Sequence, residues 1–127
     1  MTDAHDAIAR YRKNLQDEID SAALYRGLAE AERSPTLREV FLRLAAMEEQ
    51  HARFWEQKLR ELGVPVPQLR PGWRTRVLLA LARHLGAALV LPTVTAREWA
   101  DQAKYDAQPE AAVTPLPATE HQHARLL

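Results

Sequence analysis

Apolar residues recur along this chain at steps of three and four, the spacing of one helix face, while glycine and β-branched residues are scarce. The pattern predicts an almost all-helical protein. A first helix is expected from about Asp3 to Arg33, with the seam Tyr11, Leu15, Glu18, Ala22, Tyr25 and Ala29. Ser34 followed by Pro35 supplies an N-cap and the proline favoured at the first helical position. A second helix starts there, with the seam Leu37, Phe41, Leu44, Glu48, His51, Trp55, Leu59 and Leu62. Gly63, with Pro65 and Pro67 just beyond, is its stop signal. The two helices are expected to form an antiparallel hairpin.

The connector Val64 to Gly72 holds three prolines and is expected to be extended. A third helical stretch runs from Trp73 to about Val90, then Pro92 and Thr93 intervene, and a further helix runs from Thr95 to about Ala107. Pro92 either breaks or kinks one longer helix at this point. Residues Gln108 to Pro117 lead to a last helix that has barely started at Leu127. The apolar stretch Val77 to Leu91 is interrupted by Arg83 and His84. It falls short of the roughly 20 residues a membrane span needs, so it reads as a buried or amphipathic helix.

Composition narrows the chemistry. At 127 residues and 46% hydrophobic content the chain reads as a single domain, 1–127. The absence of cysteine excludes disulfides, thiolate zinc sites, iron–sulfur clusters and a cysteine nucleophile, so any metal must be held by His, Asp or Glu. Balanced charge, 17 basic against 17 acidic residues, argues against nucleic acid as a partner. Met1 to Ala9 shows no signal peptide, and a cytoplasmic location is the expectation.

Glu18 and Glu48 occupy seam slots where neighbouring turns place Leu, Phe, Tyr and Trp, and buried carboxylates are costly unless paired or metal-bound. His51 follows Glu48 by three residues on the same face, forming a Glu-x-x-His pair. With 11 Glu and 5 His, chance gives about 0.4 such pairs. The chain has two, the second being Glu120 with His123. The strings Glu48-Glu49-Gln50-His51-Ala52-Arg53 and Glu120-His121-Gln122-His123-Ala124-Arg125 correspond closely. Glu18 precedes Tyr25 by seven residues, and Glu98 precedes Tyr105 by seven. Each half therefore carries a lone Glu, a Tyr two turns on and a Glu-x-x-His, the mark of a duplicated helical hairpin.

Helix geometry supports convergence in the first half. Glu18 lies about 22 Å from the end of the first helix and Glu48 roughly 18 Å into the second, so the two meet at one level. In the second half, Glu98 to Glu120 is 22 residues against 30 from Glu18 to Glu48, which places the last ligands in the first turns of the final helix. Four carboxylates and two imidazoles without sulfur suit iron or manganese. One Glu from each of two helices, with a Glu-x-x-His from each of two others, is the ligand set of ferritin-like di-iron and di-manganese bundles.

On these six residues the chain resembles the ferritin-like superfamily and its rubrerythrin-like branch, over Tyr11 to Trp55 and Glu98 to His123. Asn14 to Glu18, Met47 to Trp55 and Tyr105 to Pro109 are similar to the rubrerythrin-like domain found ahead of vacuolar-iron-transporter-type membrane domains in bacteria. The chain lacks the cysteine-ligated rubredoxin module, and with it the built-in electron donor, of full rubrerythrins. The resemblance implies a ferritin-like antiparallel four-helix bundle of two duplicated hairpins with an extra helix between them, continuing past Leu127 into a membrane transporter domain. It implies two iron ions, with manganese as the alternative, on Glu18, Glu48, His51, Glu98, Glu120 and His123. The same six are the candidate catalytic residues, with Glu48 and Glu120 bridging and Glu18 and Glu98 terminal.

The expected chemistry is oxidation of Fe(II) by oxygen or peroxide in iron storage, detoxification or transport. The rival is a non-catalytic iron or manganese sensor regulating a membrane metal transporter, and a third reading is a metal-free interaction bundle. A homodimer is expected, because the short last helix cannot cover the bundle. Tyr25 and Tyr105 read as core residues whose hydroxyls bond a ligand carboxylate. Asp101 reads as a solvated or supporting carboxylate, Glu49 and His121 as exposed, His5 and His84 as structural or exposed, and Trp55, Trp73 and Trp99 as packing residues. Glu30, Glu32 and Arg33 read as a solvated helix end. Between Leu62 and Arg97 there are five arginines and no acidic residue, so the balanced charge is a cancellation. This +5 stretch is expected to face an anionic membrane surface or partner.

Overall fold

The computed structural model describes the backbone of residues 2–107 and the side chains of residues 3–100 other than Leu89 and Trp99. Four helices follow one another, α1 (Thr2–Ala31), α2 (Pro35–Glu61), α3 (Trp73–Leu85) and α4 (Ala87–Ala107), with no strand among the described residues. The all-α class is as the periodicity predicts. The fourth bundle helix expected near the C-terminus, with Glu120 and His123, lies outside the described residues.

α1 and α2 form the antiparallel hairpin. Ser34 is extended and its hydroxyl accepts from the Leu37 N–H, with Pro35 opening the helix. Glu32, read from the sequence as part of a solvated end, instead accepts from the N–H groups of Arg33 and Ser34 and so helps shape the turn. At the other end of α2, the Gly63 N–H bonds the Arg60 carbonyl and the Val64 N–H bonds the Leu59 carbonyl. Gly63 has φ 74°, so this is a Schellman stop that a side chain would strain.

The connector runs back along α1 to position the next helix. Asp20 accepts from the Gly72 N–H at 2.8 Å, and the Gln16 amide donates to the Arg70 carbonyl at 2.9 Å. α3 then packs on α1, where a Cβ at Gly27 would overlap a methyl of Leu79.

The chain breaks at Gly86 rather than at Pro92. Gly86 takes φ 99° and its N–H ends α3 on the Ala82 carbonyl, whereas Pro92 sits inside α4. The physical reason is position. Pro92 falls in the second turn of α4, where the bond it removes is to an Ala88 carbonyl next to the helix start, and glycine readily takes the left-handed conformation that proline cannot.

Both seams are buried, apart from Leu37 and Leu62 at the ends of α2, which are exposed. Trp73 is a further correction: it projects from the first turn of α3, with Arg74 stacked 5.3 Å from its ring centre. The core divides into two apolar clusters. One contains Tyr11, Leu15, Ala52, Trp55 and Leu59. The other gathers Leu24, Tyr25, Leu28, Phe41 and Leu44 with Ala82 of α3 and Ala87, Val90 and Val94 of α4. A polar layer separates them along the hairpin.

Candidate metal centre

That polar layer is built by helix periodicity. On α1, Asn14, Glu18, Ser21 and Tyr25 follow at steps of four, three and four and are all buried. Asn14 and Ser21 escaped the seam reading, although their spacing from Glu18 is the signal that finds them. On α2, Glu48 and His51 share a face, with Leu44 one turn before and Trp55 one turn after. Trp55 lies against Tyr11, ring centres 5.4 Å apart, and closes one side of the layer.

Glu18, Glu48 and His51 are between 0 and 6% exposed, and one ligand atom from each lies within 4.8 Å of the others. His51 Nδ1 is 3.4 Å from a Glu18 oxygen and 3.6 Å from a Glu48 oxygen. Burial pushes the Glu18 carboxyl well above its ordinary range, and the neighbouring charge of Glu48 and a hydrogen bond with Glu48 push it further. His51 pulls it in the opposite direction, by its hydrogen bond and its charge. Two carboxylates forced together away from water repel each other unless a proton or a cation intervenes. Carboxylate oxygen and imidazole nitrogen without thiolate suit iron or manganese, so the residues fit such an ion.

Glu98 enters from α4. Its seam, Ala87, Val90, Val94 and Glu98, packs against the α1 side of the core, and Glu98 is 1% exposed. The Tyr25 hydroxyl donates to Glu98 Oε1 at 2.5 Å. The tyrosine of the first half thus supports the carboxylate of the second. Glu98 is not part of the Glu18, Glu48 and His51 group. Glu120 and His123, and the side chains of Asp101 and Tyr105, lie outside the described residues. Glu49 is half-buried and engaged by Arg26 across the hairpin at 2.6 Å. His5 and His84 are exposed.

Comparison with known proteins agrees with this geometry. The Rubrerythrin family model matches residues 12–127. A 64-residue segment, half of this chain, is 42% identical to 3-demethoxyubiquinol 3-hydroxylase of Bordetella parapertussis and 41% identical to that of Bordetella pertussis. The match spans only 29% of the length of those relatives. No solved structure matches significantly. With the ferritin-like helices, the buried Glu-Glu-His group and a family match over most of its length, the chain belongs to the rubrerythrin family of di-iron domains.

Proposed function

We propose that this domain oxidises Fe(II), with Glu18, Glu48, His51, Glu98, Glu120 and His123 holding two iron ions. The observation that carries this reading is the group of Glu18, Glu48 and His51, buried between two apolar clusters where a cation neutralises the carboxylates. Bound iron supplies the one-electron couple that the side chains lack. Iron(II) is the substrate: two ions each give up one electron to a peroxide, which takes up two protons and leaves as water. Burial raises the Glu18 carboxyl above its ordinary range, and any proton it carries leaves as the cation arrives. The domain acts as a cytoplasmic homodimer, at the cytoplasmic face of a membrane if the full-length protein carries a transporter domain.

The test is anaerobic loading with Fe(II) followed by oxygen or peroxide, recording oxidant consumption and Fe(III) absorbance. Repeated turnover that is lost in Glu48→Ala supports the oxidase. Stoichiometric binding without turnover supports the sensor instead. The identity to the hydroxylases favours a second reading, oxygen chemistry on an aromatic quinol. Oxygen uptake that requires added demethoxyubiquinol and a reductant favours that one.

A further inference from the structure

α3 carries two apolar faces. Thr75, Leu78, Leu79 and Ala82 turn toward α1 and α4, as a packed helix requires. Trp73, Val77, Leu81 and Leu85, spaced by four, are exposed, with Trp73 and Leu85 each 65% accessible. A surface helix ordinarily presents polar residues outward. At 100° per residue, Trp73 and Val77 lie opposite the core face with exposed His84 between them, Leu81 forms one edge of this strip, and Arg76 and Arg83 flank it on one side and Arg74 on the other. No acidic residue occurs between Leu62 and Arg97 in the sequence.

We propose that the outward face of α3 docks on an anionic lipid bilayer. The apolar strip enters the boundary between headgroups and acyl chains while the flanking arginines reach the lipid phosphates. Trp73 suits that boundary, since its ring is apolar and its indole N–H polar. The helix has 13 residues and is about 20 Å long, so it lies along the surface rather than across it. Indeed, no described helix is long and apolar enough to cross a membrane. Charge selects lipid over a second copy: a two-fold contact through α3 sets arginines against arginines, whereas an anionic surface meets them with the opposite sign.

The test uses the full chain with vesicles of phosphatidylcholine, pure or mixed with phosphatidylglycerol. Co-sedimentation with the mixed vesicles, weakened by salt, is expected, with a blue shift of tryptophan emission that Trp73→Phe removes. The triple variant Arg74→Gln, Arg76→Gln, Arg83→Gln is expected to bind roughly a hundredfold more weakly, about fivefold per arginine. Leu81→Ser with Leu85→Ser is expected to lose the emission shift. Far-UV circular dichroism and Mn(II) binding of both variants should match the parent. Four results overturn the proposal: no vesicle binding, equal binding to pure phosphatidylcholine, a Trp73 shielded from iodide in the free protein by residues 108–127, or a dimer that Leu81→Ser with Leu85→Ser dissolves.

Discussion

Replacing Glu48 by leucine makes the variant more stable than the parent without metal and less stable than the parent with it. Glu48 is fully buried beside Glu18, whose carboxyl it helps to raise, with Leu44 one turn before it and Trp55 two turns after. Leucine fills a similar volume and removes the like charge, leaving Glu18 with His51 at 3.4 Å as a complementary pair. Replacing a whole buried ion pair by well-packed apolar residues can stabilise by about 1–4 kcal/mol. Since only one of two like carboxylates is removed here, the metal-free variant should gain about 1 kcal/mol, the lower end of that range. Free metal at a hundred times its dissociation constant adds about 2.7 kcal/mol to the parent. If the lost ligand weakens binding a hundredfold, the same metal adds only about 0.4 kcal/mol to the variant. Urea unfolding followed by far-UV circular dichroism, once in chelator and once in Mn(II), reads both quantities without iron oxidation. A Glu48→Leu protein that is less stable than the parent in chelator, or that gains as much from Mn(II), would refute the reasoning.

Two further outcomes follow from the same layer. The folded Glu18 carboxyl titrates above its ordinary value near 4.5, so the folded protein holds a proton that the unfolded chain has released. Its contribution to metal-free stability is full below that ordinary value and is lost as pH rises through the raised one. Urea midpoints in chelator should therefore fall across this interval, while Mn(II) affinity rises and binding releases protons measurable by calorimetry in buffers of different ionisation enthalpy. A metal-free stability that climbs with pH in the Glu18→Gln difference would contradict this sign. Tyr25→Phe removes the donor to the buried Glu98 carboxylate and should cost about 1.5–3 kcal/mol in chelator. It should also weaken Mn(II) binding roughly 10–100-fold if Glu98 is a ligand, as loss of an orienting partner does. An unchanged Mn(II) affinity would place Glu98 in a purely structural role.

The hairpin and the buried carboxylates on it were legible because a helix maps sequence spacing directly onto a face. Glu18, Glu48 and His51 stand in line with residues that can only be core, and Ser34-Pro35 and Gly63 mark ends through chemistry confined to a few residues. The break before α4 was misread for a related reason: proline signals a missing N–H wherever it stands, but its effect depends on how far into the helix it falls. Leu37, Leu62 and Trp73 look like core by residue type, yet Leu37 and Leu62 stand at the ends of α2 and Trp73 on the face of α3 turned away from α1, and all three are exposed.

The sequence by itself determined the helical class, the hairpin, the ligand types and the repeat that sets a tyrosine seven residues after a glutamate in each half. Tertiary structure decided which groups meet. Seven residues along a helix set Tyr25 about 10 Å along α1 from Glu18, and its hydroxyl donates to Glu98, which α4 delivers from the other half of the chain. It also drew Glu18, Glu48 and His51 within 4.8 Å and shut them between two apolar clusters, and that burial, with Glu48 alongside, raises the Glu18 carboxyl. Periodicity fixes direction around one helix, whereas distance between helices depends on the packing of every layer between them.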